Sequence, residues 1–161
     1  MYRHSSPRRA PRALAVALAL CIAPAPAVAQ KVLTECSVKD VAKILASMGL
    51  EVKDSKDEGK QSYVRFELGG YRVALILYNE NTDAQLYAGF ADWKVTPEKV
   101  NEWNRDRRFS RAYRDDDGDA VLETDIDFTG GVTEDNLKAW VRLFRDQLID
   151  YAKFVRSSSS S

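Results

Sequence analysis

Histidine and cysteine are nearly missing from this 161-residue chain, which has one His, His4, and two Cys, Cys21 and Cys36. A Ser-His-Asp or Cys-His nucleophile needs an imidazole base, and the usual zinc sites need several His or Cys ligands. His4 and Cys21 both fall in a leader-like N-terminal stretch, so the rest of the chain lacks the parts for either chemistry. Long apolar runs are missing too: Ala13–Ala23 is an unbroken run of 11 residues, against the roughly 20 that a membrane-spanning helix needs. There is no surplus of one charge, with 24 Lys plus Arg against 24 Asp plus Glu, which argues against a polyanion-binding protein. What is present is 45% hydrophobic and 30% charged residues, the composition of one globular domain rather than of a disordered chain or a multidomain enzyme.

The charges are unevenly placed. Arg3, Arg8, Arg9 and Arg12 precede the apolar run with no acid among them, Pro24 and Pro26 break it, and Ala27-Val28-Ala29 supplies small residues for a signal peptidase. The pattern predicts a secretory signal over residues 1–29 cleaved after Ala29, and hence export to the periplasm or beyond, with no membrane attachment after cleavage. A retained membrane anchor is the competing reading. Arg8-Arg9 resembles a twin-arginine signal but is followed by Ala10-Pro11-Arg12, and Cys21 follows the bulky Leu20 where a lipid-attachment cysteine needs a small residue. Without residues 1–29, 20 bases face 24 acids over 132 residues, a net charge of −4. Cys36 is then the only thiol, able to join two chains but not to close a loop; a buried thiol is the simpler reading.

After a short lead, residues 30–36, one domain is predicted over 37–156. Ser37 caps a helix to Met48, with Asp40 in its first turn and Val38, Val41, Ile44, Leu45 and Met48 on one side. Asp54–Gln61 reads as a charged loop. Tyr63–Leu68 and Tyr71–Tyr78 read as strands joined by Gly69-Gly70, whose positive φ a type I′ turn requires. Asn79–Asp83 is a loop before a third strand, Leu86–Trp93, with Leu86, Ala88 and Phe90 on one side, Tyr87, Ala91 and Trp93 on the other, and Gly89 marking a close approach. Thr96-Pro97-Glu98 starts a second helix, which runs to about Arg107. With few apolar positions, this helix belongs across a sheet edge. Phe109–Arg114 and Ala120–Phe128 form a hairpin around Asp115–Asp119, Thr133 caps the last helix, and Ser157–Ser161 is a tail with nothing to bury. The order α-β-β-β-α-β-β-α predicts an α+β domain on an antiparallel sheet of about five strands.

Several clusters invite chemistry. Asp115–Asp119 has its glycine at the fourth place rather than the sixth that a calcium loop needs, so a turn is the better reading. Val121, Glu123, Asp125 and Asp127 share the predicted solvent face of one strand. If Arg114 pairs with Ala120, Arg111 lies opposite Glu123. A cross-paired face is favoured there over a cation site or carboxylate acid/base pair. Arg105, Arg107, Arg108, Arg111 and Arg114 are read as pairing with neighbouring acids rather than as a docking patch, and nucleic acid is not an expected partner. Trp140 and Trp103 read as core, and Trp93 less so. An apolar second sheet face would suit a dimer. No catalytic residue, metal or cofactor is assigned.

The run Val95–Asn104, followed by Arg108-Phe109, Ala112, Asp117-Gly118, Leu122-Glu123, Asp125 and Gly130-Gly131-Val132-Thr133, resembles the YbjN family, described as bacterial sensory transduction regulators. The resemblance spans about Ser37 to Val155. It implies a fold similar to type III secretion chaperones, which dimerise and hold extended clients; an exported chain could not hold cytosolic ones, so the likeness bears more on fold than on function. Trp103 and Asn104 are motif positions to which structural roles are given. The resulting expectation is an exported, non-enzymatic, dimeric module binding a protein or peptide, regulatory or chaperone-like, with a partner surface drawn from Trp93, Trp103, Asn104, Arg111, Glu123 and Asp125. The alternatives are a carboxylate enzyme or cation-binding protein using Glu123, Asp125 and Asp127, or an inhibitor of an envelope enzyme.

Overall fold

The computed structural model describes residues 31–58 and 62–158; the predicted signal, its cleavage point at Ala29, and residues 159–161 of the serine tail lie outside them. Chain order is β1 (Val32–Leu33), α1 (Val38–Ser47), β2 (Val52–Lys56), β3 (Ser62–Leu68), β4 (Tyr71–Tyr78), β5 (Asp83–Lys94), α2 (Pro97–Asp106), β6 (Arg111–Arg114), β7 (Asp119–Asp127), β8 (Val132–Thr133) and α3 (Glu134–Ser158). Six strands form one antiparallel sheet in the order β2-β3-β4-β5-β7-β6, and β1 pairs with β8 in a separate two-stranded sheet. The domain is α+β, with more strands than the five expected.

The local signals act as anticipated. Ser37 Oγ and Thr96 Oγ1 accept from the amides of Asp40 and Lys99 at the starts of α1 and α2, and Thr133 Oγ1 accepts from Asn136 N at the start of α3. Gly69 and Gly70 have φ of 60° and 86° in the β3–β4 hairpin. β4 is a central strand, flanked by β3 and β5.

The core lies on one face of the sheet. Val64, Phe66, Val73, Leu75, Leu86, Ala88, Ala120 and Leu122 meet Val41, Ile44 and Leu45 of α1, Val100 and Trp103 of α2, and the long stripe Leu137, Val141, Phe144, Leu148, Tyr151, Ala152 and Val155 of α3. Burying each large aliphatic or aromatic side chain contributes roughly 1.5–3 kcal/mol. α2 lies against β6, an edge strand.

Two strand pairings were unforeseen. β2 reads Val-Lys-Asp-Ser-Lys, with no apolar alternation to mark it, and takes its place through the ladder with β3. β1 and β8 are two residues each, too short for any period to register. A third difference is Trp93, expected opposite Phe90. Between Phe90 and Lys94 the pairing with β7 moves by only one residue, from Ala120 to Asp119, and Asp92 takes φ 67°. This bulge turns Trp93 back towards Phe90, ring centroids 4.9 Å apart, where Arg156 covers it at 4.4 Å. Ser157 and Ser158, expected in the serine tail, are the last residues of α3, and Ser157 Oγ donates to Phe154 O. Among the described residues no helix is long and apolar enough to cross a membrane.

Candidate binding surface

The opposite face of the sheet carries the alternate residues of the same strands, and none of the core cluster. One row crosses all six: Asp54, Arg65, Ala74, Tyr87, Glu123 and Arg111 are successive cross-strand partners from β2 to β6. The row has an ion pair at each end, Arg65 Nη1 to Asp54 Oδ2 at 2.7 Å and Arg111 to Glu123. Its middle is Ala74 and Tyr87, small beside large. Tyr87 lies back along its own strand over Gly89, where a Cβ would stand 3.0 Å from the phenol oxygen; the close approach expected at Gly89 is this ring. A trough of about 660 Å³ results, floored by Ala74 and Gly89 and edged by Asp54, Arg65, Arg72 and Tyr87, a volume in the range of ligand sites.

The pairing of Arg111 with Glu123, and of Arg114 with Ala120, is the register anticipated from sequence. The expectation that Glu123 stands on a solvated face is overturned, since it is 2% exposed and its neighbour Val121 is fully buried. Glu123 lies between Tyr87 on β5 and Arg111 on β6, with Tyr113 one pair further along. Burial and then the Glu123 charge push the Tyr113 phenol up to about 12; burial, then Asp115 and Glu123, raise Tyr87 also. These phenols stay neutral at physiological pH. Their rings, with the Arg111 side chain, enclose the carboxylate where no helix does.

The acids of this strand do not act as one group. Glu123 is held by Arg111, Asp125 Oδ1 accepts from Gln85 Nε2 at 3.0 Å, and Asp127 Oδ1 accepts from Thr129 N at 2.7 Å; the Thr129 side chain first and then this amide hold the Asp127 carboxyl below its ordinary range. Among the described residues no three acidic, histidine or cysteine side chains are placed to hold a metal ion. In the acidic run, Asp115 Oδ1 accepts from Asp119 N at 2.8 Å and Gly118 has φ 83°, so the run is built as a turn.

The six expected surface residues separate. Arg111, Glu123 and Asp125 share the helix-free face, Glu123 beneath it rather than on it. Trp103 is core, 1% exposed, and its indole N–H donates to Ser110 Oγ, which donates to Gln147 Oε1. Trp93 is half-buried on the helix side. Asn104 stands at the sheet edge, where its amide donates to Ala112 O at 3.0 Å and accepts from Ala112 N at 2.8 Å. It closes the outer side of β6 as another strand would, a seal against edge pairing. Trough residues Ala74, Tyr87 and Arg72 were missed because their role depends on the register of four strands. Of the five arginines, Arg105 and Arg111 pair with Asp106 and Glu123, whereas Arg107 and Arg108 form no ion pair among the described residues and instead cover Trp103 and Phe109. Cys36 is fully buried, and burial pushes its thiol up to about 11.

Comparison with known proteins bears on the family. No curated protein sequence matches the chain. Among solved structures it is similar to the Yersinia pestis type III secretion chaperone SycH, solved in complex with a stable fragment of YscM2, at 13% identity and a TM-score of 0.49, covering 67% of this chain and 92% of that one. The model of the YbjN family, described as "Putative bacterial sensory transduction regulator", matches residues 37–157. That match takes in the whole six-stranded sheet, all of α1 and α2 and all but the last residue of α3, so the chain belongs to the YbjN family.

Proposed function

We propose that this YbjN-family chain is an exported, non-enzymatic module that binds a protein or peptide across the helix-free face of its sheet. The observation that carries the reading is the trough of about 660 Å³ over Ala74 and Gly89, edged by fixed charges of both signs and by Tyr87. A cleft with a small-residue floor, an aromatic wall and paired charges suits a peptide segment better than a reacting group, because recognition needs shape and hydrogen-bonding partners. The separate partners of Glu123, Asp125 and Asp127 support binding over carboxylate acid/base chemistry. Export rests on the Arg-rich start, the apolar run and Ala27-Val28-Ala29.

The test is retention of proteins from envelope extract by the immobilised chain, run beside Ala74→Glu, which fills the trough with charge. A partner held by the unsubstituted chain and lost by Ala74→Glu supports the reading. Equal retention by both, or none above an empty matrix, removes it. The proposal extends to a homodimer: light scattering then reads twice the chain mass, and a monomer at high concentration removes the dimer while leaving the binding reading in place.

A further inference from the structure

The turn from α2 into β6 carries an exposed aromatic residue in a conformation that its side chain disfavours. Phe109 is 60% exposed and has φ 68°, a region that bulky residues rarely enter. The chain on either side is tightly held. Arg107 N donates to Trp103 O at 2.9 Å, the Trp103 indole N–H donates to Ser110 Oγ, and Asn104 bonds both backbone groups of Ala112. Between these fixed points Arg108 and Phe109 project, with the Arg108 guanidinium 5.0 Å from the Phe109 ring and that of Arg107 5.5 Å from Trp103. Strain held in place by its surroundings is characteristic of contact sites, and an aromatic residue flanked by arginines is the composition of interface hot spots.

We propose that the turn Arg107–Ser110 is a docking point that inserts Phe109 into an apolar socket rimmed by carboxylates on an acidic protein segment. Charge selects the partner. Neither Arg107 nor Arg108 forms an ion pair among the described residues, although Arg107 lies near enough to Asp106 to help hold its carboxyl down after Arg105, and guanidinium groups suit the bidentate geometry of carboxylates. An anionic membrane is the poorer fit: the chain beyond residue 29 has a net charge of −4, and one aromatic with two cations is a weak anchor. The docking point does not depend on the trough, which lies over β2 to β5, away from the β6 edge.

A short synthetic peptide of glutamates around central leucines is the probe, read by fluorescence polarisation, with a glutamine-for-glutamate peptide as control. The chain should bind the acidic peptide and not the control. Arg107→Ala combined with Arg108→Ala, and separately Phe109→Gly, should each weaken binding by about tenfold or more. Phe109→Gly should melt no lower than the unsubstituted chain, because glycine accepts positive φ freely. Absence of peptide binding, equal binding by the variants, or a lower melting temperature for Phe109→Gly overturns the proposal. Sedimentation of the chain with vesicles of anionic phospholipid, without peptide binding, would replace it with a membrane contact.

Discussion

The two faces of the six-stranded sheet are made by alternate residues of the same strands, yet they are closed by different means. On one face three helices cover an apolar layer, so burial follows from hydrophobic side chains meeting across elements. On the other no helix lies among the described residues, and Val121 and Glu123 are nonetheless buried. There Tyr87, Tyr113 and Arg111 lie along the sheet and shut out water from within the same layer. Covering by a second element leaves a featureless interior. Covering by strand side chains leaves both a sealed end, at Glu123, and a trough where the residues are small, at Ala74 and Gly89. That difference is why the candidate site is on the helix-free face.

The comparison can be broken most forcefully on the covered face. Trp103→Ala removes the largest fully buried side chain and its bond to Ser110, and should lower unfolding stability by about 3–5 kcal/mol in a denaturant titration. If the helix-free face were truly solvated, Arg111→Ala would cost almost nothing. Because it strips the partner from a carboxylate whose side chain is 3% exposed, the expected loss is about 1–3 kcal/mol, and Glu123→Gln in the same chain should restore part of it. A loss within error would place Glu123 back in water.

The smallest effect at neutral pH concerns buried protons. Cys36 on the lead to α1, Tyr151 on the covered face and Tyr113 on the open one all hold their protons more tightly when folded: Cys36 moves from 9.0 to about 11, and both tyrosines from 10.0 to about 12. The unfolded chain releases these protons first, so stability is complete below pH 9 and falls as pH rises from there to about 12. Melting temperature against pH should show this alkaline decline. Tyr151→Phe should flatten it, and at neutral pH should raise stability by about 1 kcal/mol, since the buried Tyr151 hydroxyl has no hydrogen-bond partner among the described residues.

Legibility along the chain follows the range of the forces involved. Helix starts at Ser37, Thr96 and Thr133 and the turn at Gly69-Gly70 are local chemistry, and each was readable. The Arg111–Glu123 pair was readable because a hairpin fixes register from its turn. Strand β2 was not, because an edge strand of lysines and aspartate carries no apolar alternation. Trp93 was placed on the wrong face because a bulge at Asp92 changes the count of two on which such readings depend. Trp103, read as core, is core; Glu123, placed on a solvent face, is buried, since a polar side chain does not reveal from sequence what lies over it.

What the sequence determined by itself was the order of elements, the apolar faces of α1 and α3, the scarcity of histidine and thiol chemistry, and the likeness to the YbjN family. Each depends on residue type or on spacing within a few positions. Tertiary structure alone decided that Asp54, Arg65, Ala74, Tyr87, Glu123 and Arg111, spread over 70 positions, form one row, that Asn104 locks the sheet edge, and that Phe109 stands exposed and strained. Those facts arise from cross-strand register and from which element covers which face. Both are settled by the joint burial of the whole chain rather than by any single segment.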